Sequence, residues 1–104
     1  MHTAICTYRV RRGDEQRFEL LLDQHCPTLS GFGLVASDRS LRFRGDDPKG
    51  PYYVEILDWV DANAPDEAEK TPEVMKLWEG MGRLTEAREG RPPMEFPIVQ
   101  RLHP

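Results

Sequence analysis

The sequence predicts an α+β domain with two helices packed on one face of an antiparallel sheet, in the order β-α-β-β-α-β. Two segments carry apolar residues at steps of three and four, as helices do, and four others are rich in β-branched and aromatic residues. The two central strand segments are separated only by a cluster of turn formers, Gly45 to Pro51, which makes them a hairpin. A hairpin set between two strand–helix units is the split-βαβ, or ferredoxin-like, pattern. At 104 residues the chain suffices for one such domain, and no linker, repeat or low-complexity stretch divides 1–104.

Ala4 to Val10 is the first strand, with Ile5, Thr7, Tyr8 and Val10, and it ends at the turn Arg11-Arg12-Gly13-Asp14. Asp14 is placed to cap a helix, and Glu15 suits its positive end. Phe18, Leu21, Leu22, His25 and Leu29 form one helical stripe, and the breakers Pro27 and Gly31 predict that the regular helix ends between Gln24 and Leu29. Leu34 to Arg44 reads as a strand with an irregularity at Ser37-Asp38; Leu41 and Phe43 alternate with Arg42 and Arg44, as on a strand with one wet face. Tyr52 to Val60 is the strongest strand in the chain. A short helical stretch, Ala64 to Lys70, precedes a second start signal at Thr71-Pro72-Glu73. Val74, Leu77, Trp78, Met81 and Leu84 then form the second stripe. Gly80 and Gly82 each weaken that helix by about 1 kcal/mol against alanine, so they mark close backbone approach or fraying. Gly90 to Pro93 ends it, and Phe96 to Leu102 is a last strand that Pro97 confines to an edge or a bulge.

On the third strand Tyr53, Leu57 and Trp59 share one parity, and Val54, Ile56 and Val60 the other. A strand exposed on one side does not need two apolar faces, so a second copy of the chain is expected to cover the helix-free face. Net charge is −4, which argues against nucleic acid or an anionic membrane as partner. Two cysteines, Cys6 and Cys26, make no disulfide framework, and the start carries no secretory signal pattern; a cytoplasmic location is expected. No apolar run reaches membrane-spanning length.

Three segments carry a resemblance: Tyr8-Arg9-Val10-Arg11-Arg12-Gly13 entering the first helix, Val54-Glu55-Ile56-Leu57-Asp58-Trp59-Val60-Asp61 entering the second helical region, and Thr71-Pro72-Glu73-Val74. In these the chain resembles the dimeric α+β barrel superfamily, in its antibiotic-biosynthesis-monooxygenase-like (ABM-like) branch and among that branch's uncharacterised single-domain members. The resemblance implies a homodimer holding a small organic ligand between sheet and helices. If the protein is an enzyme, it implies a cofactor-independent monooxygenase acting on a small aromatic or enolisable substrate, with no cofactor required. The alternative is a non-catalytic dimeric module that binds a ligand or only dimerises. Haem-degrading members place an asparagine on the first strand and a tryptophan and a histidine on helix two. Those positions here hold Cys6, Glu69 and Glu79, which disfavours haem binding or degradation.

Glu55 and His25 are the candidate catalytic residues. Glu55 lies between apolar residues on a strand with two apolar faces, as a cavity carboxylate with a raised pKa would; it equally suits a cross-strand ion pair with Arg42, Arg44 or Arg101. His25 falls on the apolar stripe, as a pocket base tuned by burial would; a half-exposed histidine near the helix C-terminus, favoured there by the dipole, has the same spacing. Under the oxygenase reading one of the two removes a proton and Tyr8 orients the oxygen. Tyr8, Tyr53, Trp59 and Trp78 are the candidate ligand-pocket residues, and the same aromatics suit a core or an interface. Cys6 reads as a buried, inert thiol. His25 and Cys26 are adjacent and so diverge on a helix, no paired metal-ligand spacing occurs, and no metal is expected.

Overall fold

The computed structural model describes residues 2–102. Strand β1 (His2–Arg9) buries Ala4, Cys6 and Tyr8 on one side and turns Thr3, Ile5 and Thr7 to the other. Helix α1 (Glu15–Gly31) follows, then the hairpin β2 (Leu41–Asp47) and β3 (Gly50–Trp59), helices α2 (Ala64–Glu69) and α3 (Pro72–Arg83), and the short strands β4 (Met94–Glu95) and β5 (Ile98–Val99). The antiparallel sheet runs β2-β3-β1-β4, with β5 also paired to β1. Register sets Cys6 opposite Glu55, Tyr8 opposite Tyr53 and Arg42 opposite Glu55, so these side chains share the sheet face that carries the helices. The core lies between that face and α1 and α3, around Phe18, Leu22, Leu29, Leu57, Val74 and Met81. The fold is the ferredoxin-like α+β arrangement.

Pro27 does not end α1. The helix runs on to Gly31 because proline withdraws one N–H and sits on the solvent side, while Cys26 and Leu29 stay buried against the sheet. The stop comes later. Gly33, at φ 70°, lets its own N–H donate to the Ser30 carbonyl and the Leu34 N–H donate to that of Leu29, the paired bonds of a Schellman motif. Asp14 and Thr71 hold the N-cap positions of α1 and α3 without a capping bond; the Thr71 hydroxyl donates instead to the Glu67 carbonyl at 2.8 Å. α3 continues through Gly80 and Gly82 without fraying, and a Cβ at Gly80 would make an ordinary contact, 3.4 Å from Leu21 Cδ1, so close backbone approach does not explain the glycine either.

The strand expected over Leu34 to Arg44 is confined to β2, with Val35 making only a single bridge to Trp59. Between them, residues 36–40 are irregular. The hairpin turn is tighter than the turn-former cluster implies: Asp47 Oδ1 accepts from the Lys49 and Gly50 N–H groups, at 2.8 and 3.1 Å. The alternation on β2 is present, but its arginines face the helices. Arg42 pairs with Asp23 and Arg44 lies near Glu15 and Glu19 of α1, while Leu41 and Phe43 stand 60% and 55% exposed on the helix-free face. The last strand is broken at Phe96-Pro97, where the Pro97 carbonyl accepts from the Ile5 N–H at 3.0 Å, as its proline predicts.

Candidate active site

Glu55 is fully buried in the centre of β3, and three donors converge on its carboxylate. Oε1 accepts from the Tyr8 hydroxyl at 2.9 Å and from His25 Nδ1 at 2.7 Å; Oε2 accepts from the Ser40 hydroxyl at 2.7 Å. Burial is the largest single influence on this group and opposes its charge. The bonds from His25, Ser40 and Tyr8, with the closeness of the imidazole, outweigh it and hold the carboxyl below its ordinary value. The raised pKa expected from burial alone is thus overturned by donors that sequence spacing does not reveal. Nor is Glu55 an arginine's cross-strand partner, since Arg42, beside it in register, reaches out to Asp23.

His25 is 2% exposed and points at the sheet, because α1 continues past it and leaves it mid-helix rather than at a C-terminus. Its second nitrogen, Nε2, lies 2.8 Å from Trp78 Nε1. An indole N–H can only donate, so Nε2 must accept, and the ring proton is on Nδ1, donating to Glu55. The neutral imidazole is therefore clamped between a donor from α3 and an acceptor from β3.

A cavity of about 270 Å³ opens on this imidazole between the sheet and helices α2 and α3. Trp59, Trp78, Phe96, Leu57 and Ile98 supply most of its apolar wall, and Cys6 and Glu69 also line it. Trp78 and Phe96 stack with ring centroids 6.5 Å apart. Among the described residues, no lysine or arginine lines the cavity. Glu79 is exposed on α3, away from it.

Of the residues singled out in the sequence, the fold brings His25, Trp59 and Trp78 to this cavity, with Glu55 directly behind His25. Tyr8 and Tyr53 do not line it. Tyr8 packs between Phe18 and Phe96 with its hydroxyl spent on Glu55, and Tyr53 donates to Glu19 Oε2 at 2.6 Å near the opposite end of α1. The cysteines are inert by environment: burial first, then the Glu55 charge, pushes the Cys6 thiol up to about 12 and that of Cys26 to about 11. Sequence reasoning missed Ser40. It sits in the irregular segment before β2, where no periodicity shows which way a side chain turns.

The architecture is an α+β domain with the fold of the ABM-like branch. Solved structures with this fold include SnoaB, a cofactor-independent oxygenase from Streptomyces nogalater, at 16% identity and TM-score 0.74, covering 99% of this chain and 94% of that one. Rv0793 from Mycobacterium tuberculosis matches at 16% identity and TM-score 0.71, over 99% and 96%. A further structure, described as an antibiotic biosynthesis monooxygenase, matches at 13% and 0.74, over 99% and 100%. No protein-family model and no curated protein matches the chain.

Proposed function

We propose that the cavity binds a small uncharged aromatic or enolisable molecule and that His25, backed by Glu55, deprotonates it for reaction with dioxygen without a cofactor. One observation carries this reading: an apolar cavity ends on an imidazole whose far nitrogen donates to a buried carboxylate, the arrangement that strengthens a general base. On binding, the substrate displaces the Trp78 indole from Nε2, and its acidic proton passes to that nitrogen. The freed indole N–H then donates to the enolate oxygen. The enolate gives one electron to dioxygen, the two radicals combine to a peroxide anion, and that anion takes back the proton held by His25 Nε2. The hydroperoxide then loses its remaining C–H proton as the O–O bond breaks, and water leaves. One oxygen atom ends in the new carbonyl and the other in water. Glu69 in the wall, with no lysine or arginine among the described lining residues, selects against anionic ligands, haem propionates included. In this reading the protein is a homodimer, with a second copy on the helix-free face.

A non-catalytic binding module is the second reading, and the Trp78 N–H on Nε2 favours it, because the base is capped at rest. β-Tetralone, a neutral bicyclic ketone with an acidic CH₂ between ring and carbonyl, separates the two. Dioxygen uptake that falls by about a hundredfold or more in His25→Ala supports the oxygenase. Quenching of tryptophan fluorescence with no uptake supports the module. Full uptake by a variant carrying both His25→Ala and Glu55→Gln removes the oxygenase assignment.

A further inference from the structure

The hydrogen bonds of the site do not stop at Glu55. On the far side of the carboxylate, Ser40 is half-buried and forms part of the wall of a second hollow, a cleft of about 290 Å³ between α1 and the segment before β2. Asp23, Asp38, Arg39 and Arg42 make this cleft polar, in contrast to the aromatic cavity on the other side of His25. One unbroken line, Trp78 Nε1 to His25 to Glu55 to Ser40 Oγ, thus crosses from the apolar cavity to the polar cleft, with each step between 2.7 and 2.8 Å.

We propose that Ser40 is the port through which the buried His25–Glu55 pair exchanges protons with solvent, so that the site changes protonation state while its ligand cavity is closed. The other neighbours of the carboxylate offer no such exit. The Tyr8 ring packs between Phe18 and Phe96 with its hydroxyl buried, and Cys6, on the same sheet face, borders only the apolar ligand cavity. A proton arriving at His25 Nε2 is matched by transfer of the Nδ1 proton to Glu55 Oε1. The carboxyl group turns about its Cγ–Cδ bond and hands that proton to Ser40 Oγ, as the serine's own hydroxyl proton leaves into the cleft. The net transfer is one proton from the cavity side to the cleft, no electron moves, and the reverse sequence restores the starting tautomer. Ser40 is here a positioning and relay residue that touches no ligand. The inference rests on the hydrogen bonds alone and does not require that the cavity turn over a substrate.

The exchange rate of the His25 Nδ1 proton with water, measured by NMR magnetisation transfer, tests it without any activity assay. Ser40→Ala is expected to slow exchange by about tenfold or more, the scale of one lost hydrogen bond. Ser40→Thr, which keeps the hydroxyl, should stay near the wild-type rate. Exchange in Ser40→Ala as fast as in wild type, or faster, overturns the proposal. If Ser40→Ala fails to fold, wild-type protein under xenon pressure decides the matter, since xenon fills the apolar cavity. An unchanged rate then means the protons leave by the cleft, and a slowed rate means they leave by the cavity and Ser40 is not the port.

Discussion

A carboxylate with no exposure is tolerated at residue 55 because three donors surround it, and two of them come from far along the chain. That balance makes its substitutions unequal. In Glu55→Gln the amide carbonyl still accepts from His25 and Tyr8, and the amide N–H₂ donates to a reoriented Ser40, so about 1 kcal/mol should be lost. His25→Ala instead removes a neutral donor from a buried carboxylate that keeps its charge, and should cost about 1.5–3 kcal/mol in urea unfolding at neutral pH. Acid sensitivity follows the same group. The folded state holds Glu55 below its ordinary 4.5, so it binds fewer protons there than the unfolded chain does. The stability this shift contributes is complete above about pH 4.5 and is lost as pH falls through the lower folded value. The urea midpoint of wild type should therefore drop more steeply below pH 4.5 than that of Glu55→Gln. Cys6 and Cys26, with thiols near 12 and 11, should resist a disulfide reagent at neutral pH until the protein unfolds; rapid labelling of either in the native state would contradict the burial argument.

Among the elements, α1 best separates legible from illegible. Its stripe of Phe18, Leu22, His25 and Leu29 follows from spacing alone, and all four are buried. Its end does not follow, because Pro27 outweighs its surroundings in any local reading yet costs only one bond where it stands. Pro27→Ala restores an N–H for the Asp23 carbonyl and should raise stability by about 1–2 kcal/mol, read as a higher thermal midpoint. Strand β2 shows the converse. Its period of two is plain in Leu41-Arg42-Phe43-Arg44, but which side meets the helices depends on Asp23, Glu15 and Glu19, which α1 aims at the arginines. Local sequence carries the period, and a partner brought from elsewhere in the chain chooses the face.

For the whole molecule, the helix-free sheet face is the feature with most at stake. Leu41 and Phe43 are more than half exposed there, beside partly buried Ile5, Val54 and Ile56. A second copy burying this face would remove an apolar patch and supply the reason for apolar parity on each side of β3. Light scattering should give twice the 12.0 kDa chain mass for wild type, and Phe43→Asp should shift it toward one chain mass while the circular dichroism stays native. A wild-type protein that runs as one chain mass at micromolar concentration would refute the homodimer.

The sequence by itself determined the order of elements, the two helical stripes, the hairpin and the apolar character of both faces of β3, because period and turn chemistry are local properties. It also singled out Glu55 and His25, since a carboxylate and an imidazole within apolar patterns are locally anomalous. Only the tertiary structure decided that the two touch, that Ser40 and Tyr8 complete the carboxylate's shell, and that Trp78 rather than Tyr53 meets the imidazole. Those contacts join residues up to 53 positions apart, and their partners are set by strand register and helix docking, which no local pattern encodes.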